Sequence, residues 1–192
     1  GGDTNSWEGP LVANVTLLGT PSACGPLRRS GAQPGDKIIV TGAFGGSLLG
    51  HHLDFSPRVA EALLLHEHYQ LHAGMDVSDG LSLDLDRLAR ESGCGAIFRL
   101  DAIPIARAAE QRAQQLADGS TPLEHALADG EDFELLLAVP PAEAARLLTD
   151  QPLAGIPLTE IGEFVTELGL WQEDAAQRRT PLAPRGFEHT LE

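Results

Sequence analysis

The chain has 192 residues, 42% of them apolar, enough to bury the core of one domain without disulfide staples. Its 13 basic and 28 acidic residues give a net charge of −15, which argues against a nucleic-acid partner and against an anionic membrane surface. No apolar run nears the ~20 residues that span a bilayer. No signal peptide opens the sequence, and two cysteines, Cys24 and Cys94, make no disulfide framework, so a reduced cytoplasmic protein is expected.

In chain order, Gly1-Gly2-Asp3-Thr4 opens the sequence without an initiator Met, and we expect a longer parent chain. Residues 11–18, LVANVTLL, carry the β-branched content of a strand. Pro21, Gly25, Pro26, Pro34 and Gly35 mark residues 20–36 as a connector and the best domain boundary. KIIVTG (37–42) reads as a buried strand, followed by a Gly-rich turn and short helix over 42–50. Ser56-Pro57 predicts a helix start, with Ser as N-cap and Val59, Leu63 and alternatively Leu64 on its apolar face. GMDVSDG (74–80) is an extended piece ending in a turn. A helix over 80–91 follows, with Leu81, Leu85, Leu88 and Ala89 inward. Further strands are expected at 96–100, 131–139 and 158–164, and helices at 105–117, 122–128 and 141–149. The rest is a Pro-punctuated tail. Alternating strands and helices predict a layered α/β or α+β domain.

The segment Asp76-Val77-Ser78-Asp79-Gly80 is the richest in chemistry. A strand stops, Gly80 permits a tight turn, and a helix starts. Asp76 and Asp79 can converge across that turn, and two close carboxylates call for a cation or a proton between them. Oxygen donors with no nearby His or Cys suit a hard cation such as Mg²⁺. The Ser78 hydroxyl and the free N–H groups of the new helix suit a phosphate oxygen. The plainer reading is an N-cap at Ser78 or Asp79, which does not exclude metal binding. Asp129, Glu131, Asp132 and Glu134 form a second acidic group at the mouth of an apolar strand, read locally as a solvated turn. Arg28 and Arg29 precede Ser30-Gly31 and have the guanidinium suited to phosphate.

Several patterns fail. The Gly42–Gly46 turn is neither G-x-G-x-x-G nor a P-loop. His66-Glu67-His68 is not H-E-x-x-H, because position 70 is Gln. No G-x-S-x-G elbow occurs, and Gly80 falls at the wrong position for an EF-hand loop.

GGDT (1–4), RSGAQPGDKIIVTG (29–42), MDVSDGL (75–81) and DGEDFELL (129–136) occur in one order, closed by Gly186-Phe187-Glu188-His189. In that order and rough spacing the chain resembles the thiamine-monophosphate kinase family over nearly its whole length. The wider superfamily includes aminoimidazole ribonucleotide synthetase, selenophosphate synthetase and a hydrogenase maturation factor. The resemblance implies an α+β fold, a layered α/β sandwich like the C-terminal domain of that superfamily. Residues 1–22 would be the trailing segment of an N-terminal ATP-binding domain through which the enzyme forms a homodimer. Residues 23–192 would be the C-terminal kinase domain.

Carried over by motif, Asp3, Asp76 and Asp79 would hold Mg²⁺, and Arg29, or alternatively Arg28, would touch nucleotide phosphate. Ser78 would contact ATP, while Glu131 and Phe187 would bind thiamine monophosphate. One position departs: where the family has Gly-Gly-Glu-Asp, the first Gly is Asp129. The implied reaction moves the γ-phosphoryl group of ATP onto thiamine monophosphate. The acceptor is a phosphomonoester whose second pKa is near ~6, so no general base is expected. Two alternatives remain: a superfamily enzyme acting on another small phosphate acceptor, and a non-catalytic module binding phosphate or Mg²⁺.

Overall fold

The computed structural model describes residues 6, 8–174, 176 and 178–188. Seven strands form one sheet: β1 (Lys37–Thr41), β2 (Ala73–Asp76), β3 (Gly95–Arg99), β4 (Leu135–Val139), β5 (Leu158–Val165), β6 (Leu170–Glu173) and β7 (Arg179–Pro181). Their order is β2-β4-β1-β5-β3-β6-β7. The β3–β6 pair is parallel and every other pair is antiparallel. Five α-helices accompany it: α1 (Val59–His68), α2 (Leu81–Glu91), α3 (Arg107–Leu116), α4 (Pro122–Ala128) and α5 (Pro141–Asp150).

Strand alternation explains why both faces are covered. Successive side chains leave a strand on opposite sides. In β1, Ile38 and Val40 join one cluster with Leu81, Leu85 and Leu88 of α2 and Ala126 and Leu127 of α4. Ile39 joins the other, with Leu65 of α1 and Ala144 and Leu147 of α5. The run LLLAV of β4 is buried throughout, as a central strand covered on both faces must be. The result is the expected α+β layered sandwich. Local signals set several boundaries. Thr121 and Glu124 form a reciprocal capping box at the start of α4, and Pro122 stands in its first turn.

The structure corrects four expectations. Residues 11–18 enter no strand pairing; they run exposed, with Leu11, Leu17 and Leu18 at least 90% accessible. Strand propensity needs a partner edge, and the described residues offer none there. Helix α1 starts at Val59 without a side-chain cap at Arg58, so Ser56 is not its N-cap. Leu65 is its buried residue, and Val59 and Leu63 face out. The Gly-rich segment leads into two short 3-10 turns, Ser47–Leu49 and His51–Leu53. The tail supplies β6 and β7, strands of four and three residues, too short to leave an alternating pattern to read.

Candidate functional site

The site forms where β2 ends beside the start of β4. Asp76 of β2 pairs with Leu135 of β4. Beyond them the loops stay joined by main-chain bonds: Val77 N–H donates to the Glu134 carbonyl at 2.8 Å, and Phe133 N–H to the Val77 carbonyl at 2.8 Å. Glu131 N–H then donates to the Ser78 carbonyl at 2.7 Å. Gly130 carries the positive φ of this turn (72°), while Asp129 stays helical at −65°. A Cβ on Gly130 would come within 2.8 Å of the Ser78 carbonyl oxygen. Glu131 and Phe133 themselves adopt φ of 56° and 53°, an unusual conformation for non-glycine residues, sustained by these bonds.

The tail completes the site. Phe187 N–H donates to the Asp79 carbonyl at 2.8 Å. Ser82 Oγ donates to the Arg185 carbonyl at 2.8 Å, and Arg185 N–H donates back to Ser82 Oγ at 2.9 Å. Thus Asp76, Ser78, Asp79, Glu131 and Phe187, separated widely in sequence, meet at one end of the sheet. The exposed Asp76 carboxylate has no partner among the described residues, and Ser78, Asp79 and Glu131 are half-buried. Phe187 is 59% exposed. Asp3 lies outside the described residues. Arg29 is not drawn to this end by its backbone: its carbonyl accepts from Ser92 Oγ at 3.2 Å, beyond the far end of α2. That helix is roughly 16 Å long at 1.5 Å per residue. The Arg28 carbonyl accepts from Gly74 N–H at 2.9 Å, on the edge of β2.

Asp84 reshapes the turn in a way the sequence did not disclose. It is fully buried in α2 and accepts from Ser78 N–H at 3.0 Å and Asp79 N–H at 2.9 Å. The Ser78 and Asp79 N–H groups are therefore taken, and neither Ser78 nor Asp79 caps the helix, whose N-cap is Gly80. Burial raises the Asp84 carboxyl pKa, against the two N–H donors. Arg87 reaches back from α2 to Asp79 and, at 3.0 Å, to Asp84.

The second acidic segment is not a solvated turn. Glu134 is buried in a two-bond ion pair with Arg58, at 2.6 and 2.9 Å, and accepts from Thr41 Oγ1 at 2.5 Å. Asp132 is 4% exposed and accepts from Gly45 N–H at 2.9 Å, while its second oxygen has no partner. Burial, helped by the charges of Asp129 and Glu134, pushes its pKa up to about 7. Asp129 accepts from Gly46 N–H at 2.9 Å, and Ser47 Oγ donates to the Glu131 carbonyl at 2.5 Å. The Gly45–Ser47 turn thus grips the Glu131 loop at three points. Beside Asp76 opens an apolar groove of about 430 Å³, walled by Leu27, Val59 and Leu63 and by Phe133, which stacks on Phe55 at 4.0 Å.

The donor chemistry fits a hard divalent cation. Asp76 and Asp79 offer carboxylate oxygens, and a guanidinium already sits on Asp79 as a resident positive charge. Among the described residues no three His, Cys, Asp or Glu side chains form a closed metal cage.

Comparison with known proteins gives concordant matches. Residues 43–170 match the model of the AIR synthase related protein C-terminal domain. A thiamine-monophosphate kinase of Rhodopirellula baltica is 46% identical over 189 residues, covering 98% of this chain and 58% of that protein. The crystal structure of thiamine-monophosphate kinase from Stenotrophomonas maltophilia aligns with a TM-score of 0.64 at 28% identity, over 77% of this chain and 52% of that one. AaThiL complexed with AMPPCP and TMP aligns at 0.60 and 25% identity, over 85% and 54%. The chain therefore spans little more than half the length of these relatives.

Proposed function

The chain belongs to the AIR synthase related proteins, whose C-terminal domain it carries, and from that premise we propose that it is the C-terminal part of a thiamine-monophosphate kinase. The whole enzyme would transfer the γ-phosphoryl group of ATP to thiamine monophosphate, giving thiamine diphosphate and ADP. The observation that carries this reading is the meeting of the Asp76–Gly80 turn, the Glu131 loop and Phe187 through main-chain bonds.

In this reading Asp76 and Asp79 hold Mg²⁺, joined by Asp3. Mg²⁺, when bound, neutralises the phosphates and aligns donor with acceptor. The chain's own work is positioning. Ser78 contacts ATP from a turn whose backbone Asp84 holds rigid. Arg29, exposed and unpaired among the described residues, reaches nucleotide phosphate across the face the remainder of the enzyme would supply. The Glu131 carboxylate and the Phe187 ring receive the cationic thiazolium, to which both a negative charge and a ring face are favourable. The acceptor phosphate is largely ionised at neutral pH, so no side chain is assigned as general base.

Residues 1–22 we assign to the trailing segment of an N-terminal ATP-binding domain that forms the homodimer, and 23–192 to the kinase domain. A cytoplasmic enzyme without nucleic-acid or membrane partners is in keeping with the net charge of −15. No helix among the described residues is long and apolar enough to cross a membrane.

The test is thiamine diphosphate formation from thiamine monophosphate and Mg-ATP by the full-length gene product. Turnover that disappears with EDTA is the expected result. A folded full-length protein that makes no thiamine diphosphate would overturn the assignment.

A further inference from the structure

We propose that Arg87 is a tethered counter-ion that competes with the divalent cation for Asp79 and so sets the metal affinity of the site. The inference rests on the reading of Asp79 as a metal ligand. It starts from how the two carboxylates differ. Asp84 is fully buried and fully committed: Oδ2 accepts from the Ser78 and Asp79 N–H groups, and Oδ1 accepts from Arg87 Nη1 at 3.0 Å. It is a fixed post. Asp79 is half-buried; its Oδ2 accepts from the same Nη1, and its Oδ1 has no partner among the described residues.

One guanidinium nitrogen therefore bridges a permanent partner and an exchangeable one. Arg87 leaves α2 two turns beyond Asp79 and has a side chain 36% exposed, so it has room to yield. A divalent cation arriving at Asp79 meets a carboxylate whose charge is already neutralised, with a like charge in contact with it. Binding must weaken the Asp79–Arg87 contact. The Asp84 contact does not have to break, so the guanidinium stays at the site instead of swinging into water. Two discrete arrangements follow: Arg87 on both carboxylates without metal, and Arg87 on Asp84 alone with metal.

The experiment is a titration of the full-length protein with Mg²⁺ alone, without nucleotide, by calorimetry, repeated with Mn²⁺ and paramagnetic resonance. Removing the competing charge by Arg87→Gln is expected to tighten binding on the order of 1.5- to 5-fold, the range of a partly exposed contact charge pair. Arg87→Lys keeps the charge and should stay near the wild-type affinity, which separates charge from packing. In an Asp79→Asn background, Arg87→Gln should have no effect on Mg²⁺ binding. A parallel readout is thermal: Mg²⁺ should raise the melting temperature more in Arg87→Gln than in wild type. Unchanged or weaker Mg²⁺ binding in a folded Arg87→Gln protein overturns the competition. If Asp79→Asn itself leaves Mg²⁺ binding unchanged, the ligand reading of Asp79 is wrong and the proposal falls with it. That outcome is separately recognisable, because it needs no Arg87 variant.

Discussion

Asp132 shows how burial changes what a single side chain can do. It sits between two other carboxylates, away from water, with one N–H donor and one unpartnered oxygen. An ionised group there is costly, and the pKa of about 7 records that cost. In an unfolded chain an Asp titrates near ~3.9. The folded protein therefore holds an extra proton between those two values. The stability this contributes is fully present below pH ~4 and is lost as pH rises through about 7. Asp132→Asn keeps an acceptor for Gly45 and cannot ionise. Its denaturation midpoint should gain on wild type from pH 5 to pH 8. A pH-independent difference between the two proteins would contradict the burial argument.

At the scale of elements, the Gly45–Ser47 turn matters because it joins α3, α4 and the Glu131 loop. Gly46 has φ 74°, and a Cβ there would stand 2.3 Å from the Ala108 carbonyl carbon in the backbone of α3. The helix would have to move. Gly46→Ala should cost about 2–4 kcal/mol of stability, from left-handed strain and overpacking together, as read from a urea denaturation midpoint. An unchanged midpoint would mean that α3 is not fixed against this turn. The sequence disclosed such elements unevenly. Helix α2 was legible because Leu81, Leu85, Leu88 and Ala89 repeat at helical spacing, and all four are buried. Strand β4 was legible as an unbroken apolar run. Strands β6 and β7 were not, because runs of four and three residues are too short to show an alternation. The site was legible where motif and order marked it: Asp76, Ser78, Asp79, Glu131 and Phe187 meet. The roles of Asp84 and Arg87 were hidden, since an Asp and an Arg inside a helix look like surface residues until the turn folds over them. The 129–134 group misled for a related reason. Its charges read as solvated, but Arg58 and Gly45 lie 76 and 87 residues from their acidic partners, beyond any local pattern.

Over the whole molecule, two apolar layers hold a sheet whose β2–β4 end bears the candidate site, while three distant stretches of chain meet there through backbone bonds. The opposite case is the segment before the connector. Leu11, Val12, Val15, Leu17 and Leu18 are each at least 68% exposed, in a stretch with no helix or strand pairing among the described residues. Such a stretch is a template for edge-to-edge stacking between molecules, with high strand propensity and no charge between positions 10 and 23 to oppose it. The 192-residue chain produced alone should therefore self-associate with rising concentration in sedimentation velocity. Replacing Val15 and Leu17 by Lys should suppress this and leave the sheet intact. A monodisperse monomer at high concentration would show that the segment is harmless. Handling of this polypeptide is thus governed by its least structured described stretch: colloidal behaviour and folded-core stability are separable, and each can be engineered without touching the other.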